Sequence, residues 1–120
     1  MSIEDDCVSI HPYFRVPKEH EQEVMDLCAD FIALTKKESL CLYYGFSRAG
    51  DVLYCREGYH GAAGALAHLK NVAEPLEKIL KLCKLLKLEV HGQQPDLEQL
   101  KPALSGMPVE FFEMQLGFRN

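Results

Sequence analysis

The chain has 120 residues, of which 48% are apolar, 26% charged and 9% aromatic. That composition fits one globular domain over residues 1–120 and excludes a disordered, collagen-like or fibrous chain. A net charge of −5 offers no basic footprint for nucleic acid, no apolar run approaches the ~20 residues of a membrane span, and the start Met1-Ser-Ile-Glu-Asp-Asp-Cys7 lacks the basic and apolar regions of a secretory leader. The expectation is a cytoplasmic protein with no nucleic-acid and no membrane partner.

Val8, Ile10, Phe14 and Val16 share one parity, while Ser9, His11, Tyr13 and Arg15 take the other, which predicts a strand over about 7–16. Val24, Leu27, Cys28, Phe31 and Leu34 then recur at spacings of three and four, predicting a helix over about 18–37 that follows Pro17. Glu19, Glu21 and Glu23 lie at its positive end and Lys36 and Lys37 at its negative end, as the helix dipole favours. Residues 40–47 and 52–59 are rich in strand formers and flank Arg48-Ala49-Gly50-Asp51, the pattern of a hairpin.

A second helix is expected from near His60, carrying Ala62, Ala65, Leu66, Leu69 and Val72, with Gly61 and Gly64 weakening it. Pro75 restarts or bends it, and Leu76, Ile79, Leu80 and Cys83 continue the apolar stripe. A strand over 85–90, a short helix over 95–104 broken by Pro102, and a strand over 109–116 complete the chain. Lys70, Lys78, Lys81, Lys84 and Lys87, interleaved with Glu74 and Glu77, read as a solvated helix face. The five cysteines are odd in number and form no C-x-x-C pair, so they read as small buried hydrophobes of a reducing compartment.

This order is the ferredoxin-like split βαβ plan of an α+β protein, with helices on one sheet face and a further helix and strand appended. The other face would carry Tyr13, Cys41, Tyr43 and Tyr54 with Ser9, His11 and Arg56, too apolar to be left in water. A second sheet is the simplest cover, which predicts a homodimer.

The segment Leu53-Tyr-Cys-Arg-Glu-Gly-Tyr59, followed by Ala62-Ala63 and then Ala67-His68-Leu69, resembles the antibiotic biosynthesis monooxygenase superfamily. There, a strand ending in Glu-x-aromatic runs into a helix bearing an Ala-His-Leu-like step. The resemblance implies a dimeric α+β barrel of two face-to-face sheets, with the final strand crossing to the partner. It also implies oxygenation of quinol- or anthrone-like aromatics without metal or flavin. The haem-degrading branch relies on a Trp, and this chain has none.

Glu57 shares a strand face with Leu53 and Cys55, and His68 shares a helix face with Ala65, Leu69 and Val72, so both border the layer between helix and sheet. A lone carboxylate there would cost several kcal/mol or shift its pKa, which calls for a partner. Glu57 and His68 therefore read either as a catalytic pair, with the carboxylate holding the imidazole tautomer, or as a structural tie anchoring the helix. Tyr44 and Tyr59 have the parity to wall an aromatic ligand or simply to fill the core, and Asn71, one turn beyond His68, reaches a pocket mouth or solvent. His11 and His91 fall on neighbouring strands but lack a third ligand at a useful spacing, so no metal and no cofactor is read; His20 and His60 sit at helix starts, facing solvent.

Two functions follow. One is a cofactor-independent monooxygenase acting on a small aromatic, with His68 as base, Glu57 as its orienter, and Tyr44, Tyr59 and Asn71 around the substrate. The other is a non-enzymatic dimeric module that binds a small ligand or serves assembly.

Overall fold

The computed structural model describes residues 5–120; residues 1–4, on which the reading of the chain start partly rests, lie outside the described residues. Nine residues of alternating pattern form β1 (Cys7–Arg15). After a 3-10 turn at Lys18–His20 comes α1 (Glu21–Thr35), which buries Val24, Leu27, Cys28 and Phe31, the stripe expected from the periodicity. The hairpin is β2 (Cys41–Ala49) and β3 (Val52–His60), and Ala49 pairs with Val52. The turn is thus only Gly50-Asp51, shorter than the four residues expected, because Gly50 adopts φ +60°, the requirement at the first central position of a II′ turn.

Helix α2 (Gly61–Asn71) and helix α3 (Ala73–Leu82) are separated at Val72, not at Pro75. Proline lacks an N–H and clashes with the preceding turn, so the break falls early enough to leave Pro75 in the first turn of α3, where its N–H is not needed. Strand β4 (Lys84–Gly92), helix α4 (Gln94–Leu100), a 3-10 turn at Pro102–Leu104 and a short β5 (Val109–Glu113) follow.

The sheet order is β2-β3-β1-β4-β5, antiparallel throughout except for the parallel β4–β5 pair. This is the ferredoxin-like α+β plan, with one strand added beside β4. The sheet is open, and β5 pairs within its own chain along Leu88–Gly92 of β4, standing at the sheet edge.

The helix-side core divides into two clusters. One gathers Val8, Ile10, Tyr59, Ala65, Val90 and Leu100, the other Phe14, Val24, Phe31, Leu53, Val72 and Ile79. Cys41 belongs with the first, contrary to its expected place on the outer face. A bulge between Cys41 and Tyr43 adds a residue to β2 and reverses the parity of its first position. Tyr13, Tyr43, Tyr54, His11 and Ser9 do occupy the outer face. Tyr13 and Tyr54 lie 4.9 Å apart between ring centroids, and His11 Nδ1 is 2.6 Å from the Tyr54 hydroxyl.

All five cysteines are free, and burial raises each thiol above its ordinary pKa, so none is a ready nucleophile. Among the described residues no helix is long and apolar enough to cross a membrane.

Two glycines set how α2 meets the sheet. Gly61 turns the chain from β3 into the helix at φ +59°, a conformation that disfavours any side chain. Gly64 faces Leu40 and Tyr59, and a Cβ there would stand 3.0 Å from the Leu40 carbonyl oxygen and 3.0 Å from Tyr59 Cβ. Alanine is worth up to ~1 kcal/mol over glycine in an open helix, but neither backbone nor a fully buried tyrosine yields easily. Gly64→Ala is therefore expected to lower the unfolding midpoint in urea, and a raised midpoint would show that α2 can lift off the sheet without cost.

Candidate functional site

The period-2 pattern of β3 turns Leu53, Cys55, Glu57 and Tyr59 toward the helices, and all four are buried. A carboxyl set in this row has lost its water, and it recovers part of the loss from the next residue on its own face: the Tyr59 hydroxyl donates to Glu57 Oε1 at 2.6 Å. His68 arrives from above, one helical turn after buried Ala65, and is itself only 3% exposed. Its Nε2 stands 3.4 Å from Glu57 Oε1.

The other imidazole nitrogen meets a residue the sequence reading passed over. Glu38 lies in the turn after α1, and its Oε2 is 2.8 Å from His68 Nδ1. Asn71 Nδ2 donates to the same Oε2 at 2.8 Å and to the Leu34 carbonyl at 3.0 Å. Two N–H groups converging on one carboxylate oxygen place the proton of neutral His68 on Nδ1, leaving Nε2 as the basic nitrogen facing Glu57. The only signal for Glu38 in the sequence is electrostatic. An acid just past a helix C-terminus opposes the dipole and needs a donor, but the identity of that donor depends on where α2 lands.

Burial pushes the Glu57 carboxyl up from its ordinary 4.5 to about 7, the nearby Glu38 adding to this while hydrogen bonds from Tyr59 and Cys55 hold it back. Burial lowers His68, and its bond to Glu38 opposes the change. Near neutral pH the site therefore carries a carboxyl able to give a proton and an imidazole able to take one.

Both groups line a cavity of ≈ 60 Å³ at the seam between the two core clusters. Apart from Tyr44, Cys55, Glu57 and His68, its walls are apolar, among them Phe14, Phe31, Phe46 and Ile79. Leu69, Leu76, Leu104 and Met107 line both this cavity and an outer groove, and so stand between the two. The volume is small beside ordinary ligand pockets, so a ring-sized ligand would fit there only if these side chains moved.

Of the residues singled out in the sequence, the structure brings Glu57, His68 and Tyr44 to the cavity. The Tyr44 ring lies 5.2 Å from the imidazole between centroids, and burial raises its phenol well above the ordinary range. Tyr59 stands behind Glu57 as its donor, outside the cavity lining, and Asn71 ties α2 to the end of α1 through Glu38 and Leu34. His11 engages Tyr54 and Ser9 through its two ring nitrogens on the opposite sheet face.

The open α+β fold is shared with several solved structures. A Nitrosomonas europaea protein provisionally named antibiotic biosynthesis monooxygenase has 10% identity over 78% of this chain and 96% of its own, at a TM-score of 0.68. Another antibiotic biosynthesis monooxygenase has 16% identity over 69% and 92%, at a TM-score of 0.61. MupZ from Pseudomonas fluorescens is 39% identical over 97% of this chain and 96% of its own, with a TM-score of 0.89. The chain belongs to the family of MupZ, and its fold is that of antibiotic biosynthesis monooxygenase-like proteins. No protein-family model and no curated protein matches it.

The raised Glu57 has a thermodynamic consequence. Because its folded pKa of about 7 exceeds its ordinary 4.5, the unfolded chain releases this proton first as pH rises. The stability that protonated Glu57 contributes is fully present below about pH 4.5 and is lost as pH rises through about 7. Glu57→Gln keeps the acceptor for Tyr59 without the proton, so it should gain on the wild type by up to about 3 kcal/mol between about pH 4.5 and 7.5. Urea unfolding of both proteins at the two ends of this range checks it, and a constant difference would mean that Glu57 titrates normally.

Proposed function

We propose that the chain is an enzyme moving protons on a small, largely apolar substrate held beside Glu57 and His68, and that its reaction is cofactor-independent oxygenation of an electron-rich aromatic. The observation that supports this is the pairing itself: a carboxyl raised to about 7 and an imidazole Nε2, 3.4 Å apart, both facing one apolar cavity. Burying two ionisable groups this way is costly, and the cost is expected where proton transfer is the task. The name carried by superfamily members supports the oxygenation reading.

In that reaction His68 Nε2 removes a proton from the substrate, and Glu38 stabilises the imidazolium through Nδ1–H. The resulting anion gives up electrons to dioxygen. For a methylene carbon the balance is one CH2 and one O2 converted to one C=O and one H2O. Glu57 returns a proton to the reduced oxygen, and Tyr44, Phe31 and Phe46 supply flat walls for the ring. The apolar cavity keeps water from the anion.

The outer sheet face supports a homodimer. Tyr13, Tyr43 and Tyr54 lie there half-buried in the single chain, with the Arg56 guanidinium 5.2 Å from the Tyr43 ring centre, and a second copy would cover them. Free buried cysteines support a cytoplasmic setting.

An oxygen electrode with a panel of quinols and anthrones tests the activity. Wild type should consume oxygen, and His68→Asn, which keeps a donor for Glu38 but no base, should lose at least ~100-fold. Turnover without oxygen uptake would reassign the same pair to redox-neutral proton transfer, and an unaffected His68→Asn would remove the base from the mechanism. Sedimentation should give twice the 13.6 kDa chain mass, and a monomer at micromolar concentration would contradict the dimer.

A further inference from the structure

Next to the acid–base cavity the surface carries a second apolar hollow, the groove of ≈ 310 Å³ that lies along α3 and the 3-10 turn at Pro102–Leu104. Ala73 and Leu80 from α3 and Ala103 from the turn line the groove without reaching the cavity, while Leu69, Leu76, Leu104 and Met107 border both. Among the described residues its one charged wall is Glu77, whose carboxylate stands 3.4 Å from Lys81 Nζ one turn along α3.

The two hollows differ in chemistry. Phe14, Phe31, Tyr44 and Phe46 give the cavity aromatic walls, and the groove has none. Its side chains offer no hydrogen-bond donor, so a sugar, a phosphate or a carboxylate placed there would lose water without replacement, whereas a hydrocarbon chain loses nothing and gains by burial. The sizes agree with this division. The cavity of ≈ 60 Å³ is too small for a whole substrate, while the groove reaches the lower end of the roughly 300–1,000 Å³ in which ligand pockets fall.

Of the four side chains between the two, Met107 yields most easily. Leu104 is 2% exposed and packed in the first core cluster. Met107 is half-buried, and it sits in the loop before β5 beside Gly106, whose φ is +88°. An unbranched thioether rotates about three bonds and adapts to a new neighbour at little cost.

We propose that the groove is a binding subsite for an unbranched alkyl chain carried by the substrate, and that Met107 turns aside to let the reacting end lie beside Glu57 and His68. This rests on the acid–base reading of the cavity and adds the class of substrate: an electron-rich ring bearing a saturated hydrocarbon tail. The chain lies on Leu69, Ala73, Leu80 and Ala103, and its length sets how much apolar surface leaves water.

The test uses two series of probes on the complete chain, n-alkanols from butanol to decanol and n-alkyl hydroquinones of the same lengths. Binding is followed by NMR of the methyl groups and by calorimetry, neither of which needs turnover. Affinity should rise about threefold for each added CH2 until the groove is filled, and the methyl signals of Leu69, Ala73, Leu80, Ala103 and Met107 should shift. Ala103 is exposed, so Ala103→Glu leaves the core intact while setting a charge against the chain. It should weaken decanol at least ~10-fold and flatten the dependence on length. Affinities independent of length, methyl shifts confined to other residues, or a length dependence that Ala103→Glu leaves unchanged each overturn the subsite. Should the variant not fold, the methyl shifts of the unaltered protein decide. Alkanols that bind in the groove while the alkyl hydroquinones consume no oxygen uphold the subsite and overturn the oxygenation, so the two failures are told apart.

Discussion

One imidazole clamped between two carboxyls organises this protein. His68 reaches Glu38 with one nitrogen and Glu57 with the other, and it is almost fully buried while doing so. Such a cluster is stable only when each member satisfies the next, because a single buried ion without its partner costs several kcal/mol. The supporting bonds follow from that demand. Tyr59 serves Glu57, Asn71 serves Glu38 and also closes the end of α1, and β3, α2 and the turn after α1 are thereby held in one geometry.

The same cluster explains why the core comes in two parts. Apolar side chains pack below α2 and α4 on one side and below α1 and α3 on the other. The polar cluster and its cavity occupy the seam, where a continuous hydrophobic layer would otherwise run. A small cavity at such a seam forfeits packing contacts, and its walls are the side chains that a bound ring would replace as neighbours. Burial and ionisation compete at this position, and the raised carboxyl of Glu57 records the competition as a pKa.

The fold shared with antibiotic biosynthesis monooxygenases agrees with this arrangement without determining it. At 10% or 16% identity the shared property is the backbone plan, since the fold tolerates many side-chain sets on one sheet-and-helix frame. The 39% identity to MupZ over nearly the whole of both chains is a closer relationship, and it carries the frame through α4 and β5 as well. What the site does chemically rests on its own residues.

Much of this was legible in the linear chain, for local reasons. Strand alternation put Glu57 and Tyr59 on the core face, helical spacing put His68 beside Ala65, and the order of elements gave the ferredoxin-like plan, since periodicity and turn chemistry act over a few residues. The errors arose where a single extra residue or a distant contact intervened. The bulge after Cys41 moved that side chain to the other face. Glu38 was missed for the second reason. Its two partners lie 30 and 33 residues away in sequence, so no spacing rule links them, and only the docking of α2 over the end of α1 brings an imidazole and an amide to a carboxylate that its own neighbours leave without donors.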